Sequence, residues 1–119
     1  MAGKKRTKWG CPGLYGILEI SKSRQGIFIG GDPEGLRTLG EILIWLANVD
    51  QTHYPTMPDG ERCHTHLYAN YANEPGKLAN HLTEFSTTTE LCRLDAKGTG
   101  DLPKKYLDKG LTRKQLRKR

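Results

Sequence analysis

The sequence predicts an α+β domain: a two-layer sandwich of one main helix on a roughly four-stranded, mostly antiparallel sheet, in the order β-β-α-β-β. Three observations lead there. One segment, residues 33–48, carries a helix start signal and an apolar stripe at helical spacing. Short β-branched or apolar runs flank it on both sides. The chain has 119 residues, 14 of them glycine, which suits one small domain rich in turns. A single amphipathic helix must lay its stripe on something, and a small sheet is the only large apolar face available.

Leu14–Ile20 places Leu14, Leu18 and Ile20 on one face and Tyr15, Ile17 and Glu19 on the other. The polar run Ser21–Gly26 reads as a hairpin loop, and Ile27-Phe28-Ile29 as the returning strand. Asp32 is a good N-cap, because its carboxylate can accept from the free amides of a first helical turn. Pro33 suits the first helical position, and Glu34 complements the positive end of the helix dipole. Leu36, Leu39, Leu43, Leu46 and Ala47 then make one apolar stripe, with Gly40 at its edge allowing close approach to a sheet. Residues 49–62 form a long loop with Pro55, Pro58 and Gly60; Cys63–Tyr68 alternates like a strand; residues 70–80 make another loop; Thr87–Leu94 supplies the fourth strand.

Charge divides the chain into a basic N-terminal arm at residues 1–8, a domain at 9–102 and a basic tail at 103–119. The net charge is +6, yet the first eight residues carry +4 and the tail +7, which leaves the domain at −5. An acidic body with basic ends differs from a basic stripe on a folded face, the usual footprint of nucleic-acid binding. Lys104, Lys105, Arg113, Lys114 and Arg117 can neutralise phosphates without reading sequence, since only Tyr106 is available for base stacking. No apolar run approaches a membrane span, no signal-peptide core follows the basic start, and three scattered cysteines (Cys11, Cys63, Cys92) read as free thiols. A cytoplasmic protein with no membrane partner is expected.

No enzyme and no cofactor are expected. Cys63 adjoins His64, but neighbours on a strand face opposite sides, and Cys11 and Cys92 have no assignable base. The glycines at 30, 31 and 35 lie where phosphate loops occur, yet Asp32 and Glu34 would repel a phosphate, so this is a capped helix start. His64 and His66 point to one side of their strand, with His53 or His81 as a conceivable third ligand. A His-x-His pair is unspecific and no carboxylate or cysteine stands beside it at ligand spacing, so two solvent-facing histidines and no metal are the expectation. Trp45 falls among the polar helix positions Arg37, Thr38 and Glu41. It is either covered by another segment, as most large side chains are, or left as a contact residue.

The run Gly30–Leu36, followed by Leu39, Leu43, Leu46 and Ala47 and later by His64-Thr65-His66-Leu67, resembles the small immunity proteins of bacterial polymorphic toxin systems, family 32 type. The resemblance spans roughly residues 26–95 and rests on the G-x-x-x-G-L helix start, the leucine-rich helix and the histidine-bearing strand. It implies a bacterial, cytoplasmic, non-catalytic protein that binds and neutralises a toxin domain. The proline-bearing loop at 50–62 and the basic ends depart from that pattern. An acidic body fits a basic toxin partner, because complementary charge speeds encounter. The expected contact residues are Trp45, Glu41, Arg37, Asp50, Asp59 and Glu61.

Overall fold

In the computed structural model, residues 10–54, 56–69 and 82–107 are described. Asp32 starts the helix as its chemistry demands. Its Oδ1 accepts from the Gly35 amide at 2.7 Å and from the Ile17 amide at 3.0 Å, while its own amide donates to the Ile17 carbonyl at 3.1 Å. One carboxylate thus caps α1 (Pro33–Asn48) and ties it to the strand before it. Those two amides, Ile17 first, hold the Asp32 carboxyl below the usual carboxylate range.

The hairpin is tighter than its polar run suggests. Strand β1 (Leu18–Ser23) pairs antiparallel with β2 (Gly26–Gly31) down to Ser23 and Gly26, which leaves Arg24-Gln25 as a two-residue turn. Gly26 closes it at φ 133°, a backbone conformation other residues rarely adopt. A second antiparallel pair joins β3 (His64–Leu67) to β4 (Thr89–Cys92).

The architecture is therefore α+β, with one main helix and two small antiparallel sheets of two strands each, in place of the expected single four-stranded sheet. The segment before β4 explains the difference. Thr83 and Thr87 donate backbone bonds to the Leu18 and Ile20 carbonyls at 3.0 and 2.8 Å, and Leu82 donates to Tyr68 at 2.6 Å. This segment stitches β1 to β3, but it folds into a turn at Thr83–Ser86, closed by the Ser86 amide on the Thr83 carbonyl at 3.0 Å. That turn breaks the ladder into two.

The main core joins Leu14, Leu18 and Ile20 to Leu39 and Ile42 of α1, and to Leu67 and Leu82. The buried helix positions are Gly35, Thr38, Leu39, Ile42 and Leu46, so the helix is turned by roughly 75° from the expected stripe. Leu36, Leu43 and Ala47 are exposed. Thr38 decides the rotation. Its hydroxyl donates to the Tyr15 carbonyl at 2.9 Å and accepts from the Tyr15 amide at 3.0 Å, which satisfies a buried polar group and the strand backbone together. Gly40 approaches nothing: a Cβ there would meet no atom within 4 Å, so the expected close contact with a sheet is absent.

A second cluster, Leu46, Val49 and Cys63, sits beneath the loop after the helix. A 3-10 turn at Gln51–His53 opens that loop. Gln51 is buried, accepting from the Cys63 amide at 2.8 Å and donating to the Asp95 carbonyl at 3.0 Å. Lys97, also buried, donates to the Tyr54 and Met57 carbonyls and so pins the far side of the loop. Arg93 closes the helix. Its guanidinium donates to the Leu46 and Val49 carbonyls at 3.1 and 2.9 Å and makes a two-pronged pair with Asp95 at 2.7 and 2.6 Å. The helix has no basic residue in its own last turn, so Arg93 brings the complementary charge from the other end of the chain.

A short helix α2 (Lys104–Leu107) follows. The arm at 1–8, the whole loop at 70–80, His81 and the tail beyond residue 107 lie outside the described residues. No described helix is long and apolar enough to cross a membrane.

Candidate protein-binding surface

Strand β2 has β1 on one side, and no described residue makes a backbone hydrogen bond to its other side. The Asp32-to-Ile17 bond sets the phase of the ladder. With Leu18 opposite Gly31, the amides of Gly26, Phe28 and Gly30 turn toward β1, and those of Ile27, Ile29 and Gly31 point away. An edge of this kind is a template for another strand. Proteins usually guard one with a lysine, a proline or an inward charge. The sequence Gly-Ile-Phe-Ile-Gly-Gly contains none of these.

Both faces of this edge are apolar and wet. Ile27 and Ile29 share a face with Leu18 and Ile20, yet they are 64% and 54% exposed, while Leu18 and Ile20 are buried with Leu39 and Ile42 of α1. Phe28 points to the opposite face, where it forms an open cleft with Ile17 and Phe85 over Gly30 and Gly31. A Cβ on Gly30 would come within 2.5 Å of the Phe28 ring, so glycine there lets the ring lie flat across the strand. Phe85 is 74% exposed at the tip of the turn that interrupts the sheet. The rim carries Glu19 and Glu84, and no cation lines the cleft.

The contact residues expected from the sequence fall elsewhere. Arg37, Glu41 and Trp45 follow one another at four-residue spacing along α1. The rotation of the helix brings Trp45 to the flank of its buried stripe, and the ring packs half-buried on the second cluster beside Tyr54 and Met57. The loop after the helix is therefore the segment that covers it. Its Nε1 is buried and has no hydrogen-bond partner among the described residues. Asp50 is engaged locally, accepting from the Thr52 amide and hydroxyl at 3.1 and 2.6 Å and from His53 at 2.8 Å. Asp59 and Glu61 are exposed on the loop that Lys97 anchors. The structure gathers only Arg37, Glu41 and Trp45 into one row.

No protein-family model, curated protein or solved structure matches the chain.

The residues that sequence reasoning missed are Ile17, Ile27, Phe28, Ile29 and Phe85. A signal for three of them was present. Ile27-Phe28-Ile29 does not alternate, and an unbroken apolar run is the pattern of a strand covered on both faces. Among the described residues neither face is fully covered, so the pattern calls for something those residues do not supply.

His64 and His66 do share one face of β3, with Cys63 and Leu67 buried on the other. The expectation that no carboxylate stands beside them is corrected by the register of the second sheet: Glu90 of β4 lies directly opposite His66. Of the basic-tail residues, Lys104 and Lys105 are exposed on α2, and Arg113, Lys114 and Arg117 are outside the described residues. The three thiols are free. Burial pushes each of them up, Cys63 in spite of nearby Arg93, which disfavours a thiolate nucleophile.

Proposed function

We propose that this chain is a non-catalytic binding protein of immunity type, which holds a basic toxin domain by taking one of its strands onto the open edge of β2. The observation that carries the reading is the unguarded apolar run Ile27-Phe28-Ile29, exposed on both faces along a strand edge that no described residue pairs. Strand addition provides backbone hydrogen bonds, and pockets for alternate side chains provide selectivity. The Ile17, Phe28 and Phe85 cleft is such a pocket, and its Glu19 and Glu84 rim favours a cationic partner. The −5 charge of residues 9–102 acts in the same direction at longer range. The resemblance to family 32 immunity proteins supports the class of partner. Trp45 belongs to the second core cluster, so its replacement tests stability before it tests binding.

The test is complex formation with the toxin domain encoded by the adjoining gene. The wild-type chain forms an equimolar complex, and Phe28→Glu, which places a charge in the cleft, weakens it by about 30-fold, the scale of a central anchor residue. Arg37→Ala, remote from the edge, leaves affinity unchanged. Absence of a basic toxin domain from the adjoining gene contradicts the reading. So does a complex indifferent to Phe28→Glu, or a chain that dimerises through β2 and ignores the toxin domain.

A further inference from the structure

The second sheet carries a constellation that toxin binding does not use. Strand β3 contributes His-x-His and β4 contributes Glu-x-Cys, and the antiparallel register sets His66 opposite Glu90 and His64 opposite Cys92. Directly opposed residues share a face, and residues two apart on one strand share it too. All four side chains therefore rise from one side of a two-stranded platform whose other side is buried through Cys63 and Leu67. We infer that this platform is a binding site for a single first-row divalent cation of the zinc class, with His64, His66 and Glu90 as its three protein ligands.

The geometry is close to what such an ion requires. One ligand atom from each of the three residues lies within 4.8 Å of the others. A tetrahedral zinc ion with bonds of about 2.0–2.1 Å sets its ligands roughly 3.3–3.5 Å apart. Rotation about the side-chain bonds of the three residues would have to close that gap. The donor set is also chemically apt: two imidazoles and one carboxylate suit zinc, nickel or ferrous iron far better than calcium or magnesium, which prefer oxygen.

Two supporting contacts point the same way. The His64 Nδ1 lies 3.2 Å from the Arg62 carbonyl, which can only accept, so a hydrogen bond there uses Nδ1 as donor and leaves Nε2 as the nitrogen that can ligate. A ring nitrogen donating to a backbone carbonyl is the usual outer-shell arrangement of a metal-ligating histidine. His66 is held from the other side, stacked on Tyr68 at 5.8 Å with an interplanar angle of 26°, and its ring meets His64 edge-on at 5.3 Å. Arg62, the nearest cation in sequence, is directed away, with its guanidinium donating to the Leu94 and Asp101 carbonyls.

Cys92 stands on the same face but turns its thiol to the Arg93 carbonyl at 3.0 Å, and it is not one of the three ligands. Three protein ligands leave a fourth position on the exposed side of the platform, available to water or to a group from another molecule.

The experiment is a calorimetric zinc titration of the metal-free full chain under reducing conditions, repeated with cobalt(II) for its visible absorption. The wild-type chain binds one equivalent with a dissociation constant in the micromolar range or tighter and gives a tetrahedral cobalt spectrum. His66→Ala and Glu90→Gln each weaken binding at least about tenfold and lose that spectrum. His53→Ala and Cys92→Ser bind like wild type. All four side chains are at least partly exposed, and circular dichroism checks that each variant keeps the fold. The assignment is overturned if wild type takes up no stoichiometric zinc, or if His66→Ala and Glu90→Gln bind as tightly as wild type.

Discussion

Gly35→Ala is expected to destabilise the fold by about 3 kcal/mol, although helix propensity alone predicts a gain of about 1 kcal/mol. A Cβ at this position would sit 1.9 Å from the Ile17 carbonyl oxygen and 2.6 Å from its carbon, far inside contact distance. Neither side can withdraw cheaply. The Asp32 carboxylate holds the Gly35 and Ile17 amides at once, and the Asp32 amide holds the Ile17 carbonyl, so separating helix from strand either breaks the two Asp32–Ile17 hydrogen bonds or pulls Gly35 off its cap. Gly40→Ala is the matched control in the same helix. It meets nothing within 4 Å and should stabilise by up to about 1 kcal/mol. Urea unfolding of the two variants should give midpoints displaced in opposite directions; a stabilised Gly35→Ala would contradict the close approach.

Arg93→Met is expected to cost about 3 kcal/mol, the scale of removing one partner from a largely buried ion pair. Arg93 is 19% exposed and Asp95 31%. The substitution keeps the apolar stem but removes the cation from Asp95 and leaves the Leu46 and Val49 carbonyls at the helix end without their donor. Arg93→Lys should recover only part of the loss, since an ammonium cannot serve two carbonyls and a two-pronged carboxylate together. Thermal or urea unfolding of the three chains measures the order wild type, Lys, Met. Equal stabilities would mean that the helix end is held by packing alone.

The parts of this fold that were legible in the sequence are those whose causes are local. Asp32, Pro33 and Glu34 announce a helix start within three residues, and the helix runs over Pro33–Asn48 as expected. Leu14, Leu18 and Ile20 alternate and are buried together. What was not legible depends on distant partners. The helix is apolar around more than half its circumference, from Trp45 through Leu46 and Leu39 to Leu43 and Ile44, so periodicity alone cannot choose which arc faces inward. The choice is made by Thr38 and the Tyr15 backbone, 23 residues apart. The division into two sheets likewise follows from a turn at Thr83–Ser86 that lies against β1.

The candidate surfaces divide in the same way. Histidines two apart are visible in any strand, but Glu90 joins them only through the register of β3 on β4. The run Ile27-Phe28-Ile29 reads as one more sheet strand, and its meaning changes because Leu18 and Ile20 of β1 are buried while all three of these residues are exposed. An apolar strand left at an edge is where local pattern and global fold disagree, and such disagreements concentrate at functional sites.

Amide hydrogen exchange on the free chain and on its complex with the toxin domain tests the central claim most directly. The outward amides of Ile27, Ile29 and Gly31 should exchange rapidly in the free chain, while those of Phe28 and Gly30, bonded to β1, are protected. On binding, the three outward amides should become protected together, because a partner strand accepts from all of them. Protection that appears along Arg37, Glu41 and Trp45 instead, with the β2 edge still exchanging freely, would contradict strand addition as the mode of capture.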